Sequence, residues 1–396
     1  MVKFTTGGRI FGMPWWLAVS LLFIAGRVVS TAMLLWFAAH QQENPWTGAH
    51  PSIWEFSSIW DGRWYNIIAE VGYPTTLPHD PSGHIIENAW AFLPLYPMTV
   101  KAVMALTGLA WNFAAVAVSV VCAFVATLVF YRLMLHVLNV GQAYFATVLF
   151  SLSPVGAIYQ VAYAESMQLM LIAIALLLLL KRNYLSIIPV VLLLGITRPG
   201  SLALALALGL HMVYRLWGAR GRSFSIAERW RAAAATLAAL LAGFEWMLIA
   251  GVVTHVPTAY VQTELAWRAP YVGWKELLPF APWVEAAQWW FPGVMGWVVL
   301  GLAVLILVLI LINPLSRRLG VDLNLWNLSY ALYILAVFFP QSSTFRIFAP
   351  LFPVFGAFAI PRSRVYRVGL VVMLIAMQWV WVHFMWAVNT PDWSPP

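Results

Sequence analysis

Three short groups of residues could carry chemistry in this sequence: Trp60-Asp61-Gly62-Arg63-Trp64-Tyr65, Phe92-Leu93-Pro94-Leu95-Tyr96-Pro97, and Ser153-Pro154 followed by Tyr163-Ala164-Glu165-Ser166. Asp61 stands between tryptophans in one of the few polar stretches of an apolar chain. Wound as one helix over 53–73, Ile53, Phe56, Trp60, Trp64, Ile67 and Val71 recur at spacings of three and four, an apolar stripe closed by Gly72-Tyr73-Pro74. Such a helix is expected to lie along a bilayer surface. Asp61 falls about 100° round from Trp60, on the border of the stripe, with Ser57 and Tyr65 a turn to either side. A carboxylate there suits a general base within reach of a substrate hydroxyl; amphipathicity alone fits an ordinary interfacial acid as well. Pro94 is compatible with a plain helix start, and Glu165 with a solvated helix cap.

The solvent follows from composition. Hydrophobic residues make up 62% of the 396 and charged residues 9%, against roughly 25% charged in soluble domains. This is an integral membrane protein. The 23 Trp and 14 Tyr suit many passages through a headgroup region. The net charge of +8 is scattered in short clusters at helix ends, which argues orientation by loop charge and excludes nucleic acid as the partner. One cysteine, Cys122, lies in an apolar run and offers neither a disulfide framework nor a thiolate metal site. His79 and His84 lack a third ligand, so no metal and no cofactor are expected.

An all-α polytopic protein of about eleven spans is therefore expected, as a single membrane-embedded unit over 1–396. The spans fall at 15–39, 110–137, 142–157, 165–181, 184–196, 199–217, 232–254, 292–313, 325–340, 343–360 and 366–388, several of them short for a ~20-residue crossing. The segment 92–108 reads as a partial or re-entrant helix. The span at 15–39 is much longer than a signal-peptide core and reads as a retained helix with Lys3 and Arg9 holding the N-terminus in the cytoplasm. Inner loops then receive Arg132, Lys181-Arg182, Arg215, Arg220, Arg222, Arg229, Arg231, Arg317-Arg318, Arg362, Arg364 and Arg367, as the positive-inside rule requires. Two polar loops, 40–90 and 255–290, and the C-terminus at 389–396 fall on the extracytoplasmic side.

In order and spacing, the three groups, together with Ile68-Ala69 and Gly72-Tyr73, resemble the motifs of the PIG-V type mannosyltransferases, which add the second mannose of the GPI anchor and have bacterial relatives. The resemblance covers about the first 200 residues. The family commonly has Ser where Ala164 stands, and the second half is similar only through Arg346 in Gln341-Ser342-Ser343-Thr344-Phe345-Arg346. It implies a GT-C fold, with a core over 1–217 holding the catalytic loop 40–90 and variable helices over 218–396. It also implies an inverting transfer of mannose from polyprenyl-phosphate-mannose to a lipid-linked or glycan acceptor, with Asp61 as the base. The candidate substrate-binding residues on this basis are Trp60, Trp64, Tyr65, Tyr96, Tyr163 and Glu165.

Such a donor needs a cation where its leaving phosphate gathers charge, and arginine suits that role through its bidentate fork. Candidates are Arg63, Arg198, Arg268, Lys275 and Arg346, with Arg198 and Arg346 placed most like buried ligands; snorkelling or charge pairing accounts for each equally well. Arg63 lies about 160° from Asp61 around the expected helix and is disfavoured. Arg27 and Glu245, deep in spans, read as members of an internal ion pair. Trp267, Trp289 and Trp290 could stack on sugars, although interfacial anchoring is their commoner use. The rival class is a transporter or flippase of lipid-linked sugars, against which stand the absence of a repeat and the length of the first polar loop.

Overall fold

The computed structural model describes residues 9–217 and 224–388. Lys3, Arg220, Arg222 and the segment 389–396 therefore lie outside the described residues. A two-residue antiparallel pairing, Ile10 with Met13, precedes the first helix.

The long helices follow apolar runs of membrane length. They are α1 (Trp15–His40), α5 (Trp111–Met134), α14 (Val294–Ile312) and α19 (Arg364–Trp381), each long and apolar enough to cross a bilayer, the last with its continuation to Trp386. Between the first two come α2 (Ile53–Phe56), α3 (Asp61–Glu70) and α4 (Leu95–Thr107). Then follow the apolar helices α6 (Val140–Ser151), α7 (Glu165–Leu180), α8 (Tyr184–Gly195) and α9 (Ser201–Trp217). Next, α10 (Ile226–Ala242) and α11 (Glu245–Thr254) form a pair bent by 41° that is together long enough to cross. The short helices α12 (Ala259–Val272) and α13 (Ala281–Trp290) build the second polar loop, and α15 (Pro314–Arg317) leads into α16 (Val321–Val337).

Packing runs through small residues. α5 lies along α7, burying Ala114, Ala115, Ser119, Ala123 and Ala126, and α10 presents Ala232, Ala235 and Ala239 towards α8 and α9. Backbones can approach closely there, which is how helices gain dispersion energy where lipid removes the hydrophobic drive.

Four expectations are corrected. The expected span at 343–360 is three short turns, α17 (Thr344–Ile347), a 3₁₀ turn at Ala349–Leu351 and α18 (Val354–Phe358), because Pro350 and Pro353 interrupt the hydrogen-bond ladder. The expected helix over 53–73 is two helices broken at Ser57–Trp60, with Trp60 in the left-handed region at φ 57°. Its phase is also different: α3 buries Asp61, Tyr65, Ile68 and Ala69, while Ile67 and Val71 from the expected stripe are exposed. The apolar medium that organises α3 is thus the protein core rather than the bilayer surface.

The fourth concerns the deep charges. Arg27 has no carboxylate partner among the described residues; its guanidinium donates to the carbonyls of Gly156 at 2.6 Å and Ser151 at 2.8 Å and lies 5.0 Å from the Tyr159 ring centroid. Glu245 stands at the α10–α11 bend with Oε1 unpartnered, beside Gly195, where any Cβ would meet that oxygen. The carbonyls at the end of α6 and the start of the 3₁₀ turn at Gly156–Gln160 hold the two Nη groups of Arg27 in place of an anion, while its Nε has no hydrogen-bond partner.

Candidate active site

Asp61 opens α3, and the chain around it is set by three constraints. Trp60 holds its strained backbone because its indole donates to the Trp386 carbonyl at 2.8 Å, while the Trp386 indole donates to the Phe56 carbonyl at 2.9 Å. Such strain persists only where surroundings over-determine it. Gly62 lets α3 approach the 161–164 segment: a Cβ there would stand 3.3 Å from the Cβ of Ala162, whose N–H donates to the Ser57 carbonyl at 2.8 Å. Finally, the Asp61 N–H donates to the Tyr163 hydroxyl at 3.2 Å.

These constraints deliver the Asp61 carboxylate into a buried quartet of alternating charge. Its Oδ2 lies 2.9 Å from Arg346 Nη1 and 3.9 Å from Arg198 Nη1. Glu165 Oε1 pairs with Arg346 Nη1 and lies 3.1 Å from Arg198 Nη1. Glu165 and Arg346 are 2% and 8% exposed, so the quartet is far from bulk water, where ion pairs are screened little. Burial raises the Asp61 carboxyl above the ordinary carboxylate range, against the opposing pull of Arg346 and then Arg198.

Each partner has its own support. Arg198 precedes Pro199 and Gly200 between α8 and α9; the Gln168 side chain donates to the Pro199 carbonyl at 3.1 Å, and Gly200 takes φ 146°, a conformation costly for any other residue. Arg346 sits on α17, held where the Tyr330 hydroxyl donates to the Ile347 carbonyl at 2.9 Å, and its guanidinium lies 5.2 Å from the Tyr163 ring centroid. Tyr65 accepts from Arg198 at 3.4 Å and packs edge-on to Tyr96, whose hydroxyl donates to the Ala115 carbonyl at 2.9 Å.

The structure therefore brings together Asp61, Tyr65, Tyr163, Glu165, Arg198 and Arg346, with Tyr96 behind Tyr65. It does not bring Arg63 there. That guanidinium is exposed on the other face of α3 and donates to the Trp46 carbonyl. Trp60 is a buried anchor, and Trp64 stacks on Phe92 at 5.6 Å with Trp267 edge-on. Arg268 and Lys275 are engaged within the second polar loop, Lys275 with Glu285 at 3.2 Å. Trp289 and Trp290 pack with Tyr271.

Two residues had no assigned role in the motif pattern. Trp386 lies 326 positions from Trp60, and nothing in spacing could link them. Glu264, on α12, hydrogen-bonds Tyr260 and lies within electrostatic reach of Arg198 and Asp61. Although the residue is exposed as a whole, burial of its carboxyl raises it to about 7. Its only signal was an acid in the second polar loop.

An apolar cavity of about 530 Å³ lies beside α17. It is lined by Thr344, Phe345 and Phe348, by Leu307 and Ile310 of α14, and by Met373 and Met377 of α19. Among the described residues no three His, Cys, Asp or Glu side chains converge as a metal site.

No family model matches the chain, and no curated protein is similar to it. Among solved structures, the crystal structure of the Archaeoglobus fulgidus oligosaccharyltransferase with zinc and sulfate aligns at a TM-score of 0.50 and 12% identity, covering 93% of this chain and 54% of that one. Two others of the same enzyme, one tethered to an acceptor peptide and one with an inhibitory peptide and a dolichol-phosphate, align at 0.45 and 0.41. The fold assignment rests on the first: the chain has the all-α, polytopic GT-C fold of an integral membrane protein and spans about half the length of that enzyme.

Proposed function

We propose that the protein is an inverting glycosyltransferase acting at the extracytoplasmic membrane face, which moves a mannosyl group from polyprenyl-phosphate-mannose to a hydroxyl of a glycolipid or glycan acceptor. The observation that carries this reading is the Asp61–Arg346–Glu165–Arg198 quartet. A carboxylate with raised basicity beside two buried guanidiniums supplies both halves of the chemistry: a base for the attacking hydroxyl and fixed positive charge for the departing phosphate.

In the resting quartet Asp61 is held by Arg346. A donor phosphodiester arriving at Arg346 and Arg198 competes with the carboxylates for the same N–H groups, loosens Asp61 and leaves it free to accept a proton. The acceptor oxygen then bonds to the anomeric carbon, the bond from that carbon to the phosphate oxygen breaks, the proton passes to Asp61, and the electron pair leaves with the polyprenyl phosphate. Glu165 keeps the two guanidiniums in register through the exchange. The apolar cavity beside α17 suits the polyprenyl chain, since it lies against the helix that carries Arg346 and is lined mainly by hydrocarbon side chains. The motif resemblance supports mannose as the sugar, and the apolar cavity beside Arg346 supports a lipid-linked donor.

The test is transfer from radiolabelled polyprenyl-phosphate-mannose in membranes containing the full chain. Asp61→Asn should abolish transfer, and activity within a few-fold of wild type would remove Asp61 as the base. Acceptor-dependent release of free polyprenyl phosphate separates this reaction from flipping, which releases none.

A further inference from the structure

The face of α3 turned away from Asp61 walls a second, polar pocket of about 250 Å³. Arg63 and Asn66 of α3 line it, with Trp46 from the loop after α1, Glu55 of α2, and Trp111 and Asn112 in the first turn of α5. The catalytic reading uses none of these groups.

Three lining residues bury a polar atom that has no hydrogen-bond partner: the indole nitrogens of Trp46 and Trp111 and the Oδ1 of Asn66. Trp111 is itself only 6% exposed. Those three atoms are sealed off from the pocket, so the groups that could meet a ligand come from the rest of the lining, among them the Arg63 guanidinium, the Glu55 carboxylate and the Asn112 amide. These offer both donors and acceptors. The charge on the pocket is also balanced, because the exposed Arg63 guanidinium faces the Glu55 carboxylate and helps hold it below the ordinary carboxylate range, behind its larger hydrogen bonds to Ser52. A phosphate would want donors and net positive charge, and a lipid chain an apolar lining. Mixed donors and acceptors with indole rings and no net charge suit a neutral polyhydroxylated ring, and the volume, just under the roughly 300–1,000 Å³ of drug-sized sites, suits a single one.

We propose that this pocket is a carbohydrate subsite for one neutral hexose. Resting on the glycosyltransferase reading, its occupant is a non-reacting sugar of the acceptor glycan. Because α3 is one rigid ten-residue helix with Asp61 at its start, a sugar held by Arg63 and Asn66 also anchors the base against the acceptor.

The experiment is saturation-transfer NMR on the detergent-solubilised full chain with methyl α-D-mannopyranoside, methyl α-D-glucopyranoside and inorganic phosphate, with thermal unfolding as the control for folding. A saturable signal from at least one glycoside is expected, retained in Asp61→Asn and weakened roughly tenfold or more in Asn66→Leu/Asn112→Leu. Should that double variant unfold, Arg63→Gln replaces it with the same expectation. Displacement by phosphate, no saturable signal from either glycoside, or a signal lost in Asp61→Asn but intact in the pocket variant would each overturn the proposal. Loss of the glycosyltransferase reading shows separately, as transfer that survives Asp61→Asn, and leaves the glycoside titration to stand on its own.

Discussion

Asp61, Glu165, Arg198 and Arg346 depend on one another for burial, since an isolated charge in that place would carry a full desolvation cost. Removing one cation should therefore do more than remove a ligand. Arg346→Ala and Arg198→Ala are expected to weaken donor binding by at least tenfold, on the order of 1.4 kcal/mol; unchanged donor affinity in a lipid-phosphate titration would exclude that residue. The pH dependence follows from the same burial. A base must be ionised to take a proton, so kcat/KM should fall as pH drops through the raised Asp61 value. Glu264, at about 7, ionises through the neutral range. Because its charge acts electrostatically on Arg198 and Asp61, Glu264→Gln should remove the variation of kcat/KM around neutrality and spare the acid limb set by Asp61. An unchanged profile would confine Glu264 to a structural role.

At the scale of elements, the decisive contact is between the start of α3 and the segment 161–164. Gly62 permits it, and the 3.3 Å approach of an added Cβ to Ala162 means that the neighbour must give. Gly62→Val is expected to displace Asp61 and cut kcat by on the order of a hundredfold with little change in donor affinity, since the arginines are on other elements. A second knot ties the far ends of α8, α9, α10 and α16. His211 lies 2.6 Å from Asp322 and 2.9 Å from the Tyr184 hydroxyl, while Glu228 pairs with Arg215 at 3.0 Å. It is about 15 Å along α9 from the Arg198 turn. His211→Phe should lower the thermal unfolding temperature, at a cost of roughly 1–3 kcal/mol, without moving KM for the donor; a changed KM would tie the knot to the site.

For the whole molecule, the quartet joins both halves of the chain. Asp61, Glu165 and Arg198 come from the part with the clear motif pattern, and Arg346 from the part without it. The GT-C fold supplies this convergence: α7, the α8–α9 turn and α17 meet beside α3 at one end of the bundle.

The all-α membrane character of the protein follows from composition alone, because 9% charge leaves no other solvent for so much apolar surface. The stretch around Asp61 also stood out, since a carboxylate between tryptophans is conspicuous in such a chain. Helical phase separated Arg63 from Asp61 for the same reason, as periodicity is a local property. Local patterns could not say that α3 breaks at Trp60, because that break is enforced by Trp386, or that Arg27 is held by carbonyls rather than by an acid. They also could not choose Arg198 and Arg346 over snorkelling alternatives. Those outcomes depend on which distant groups share a buried space, and only the tertiary structure decides which charges lose their water together.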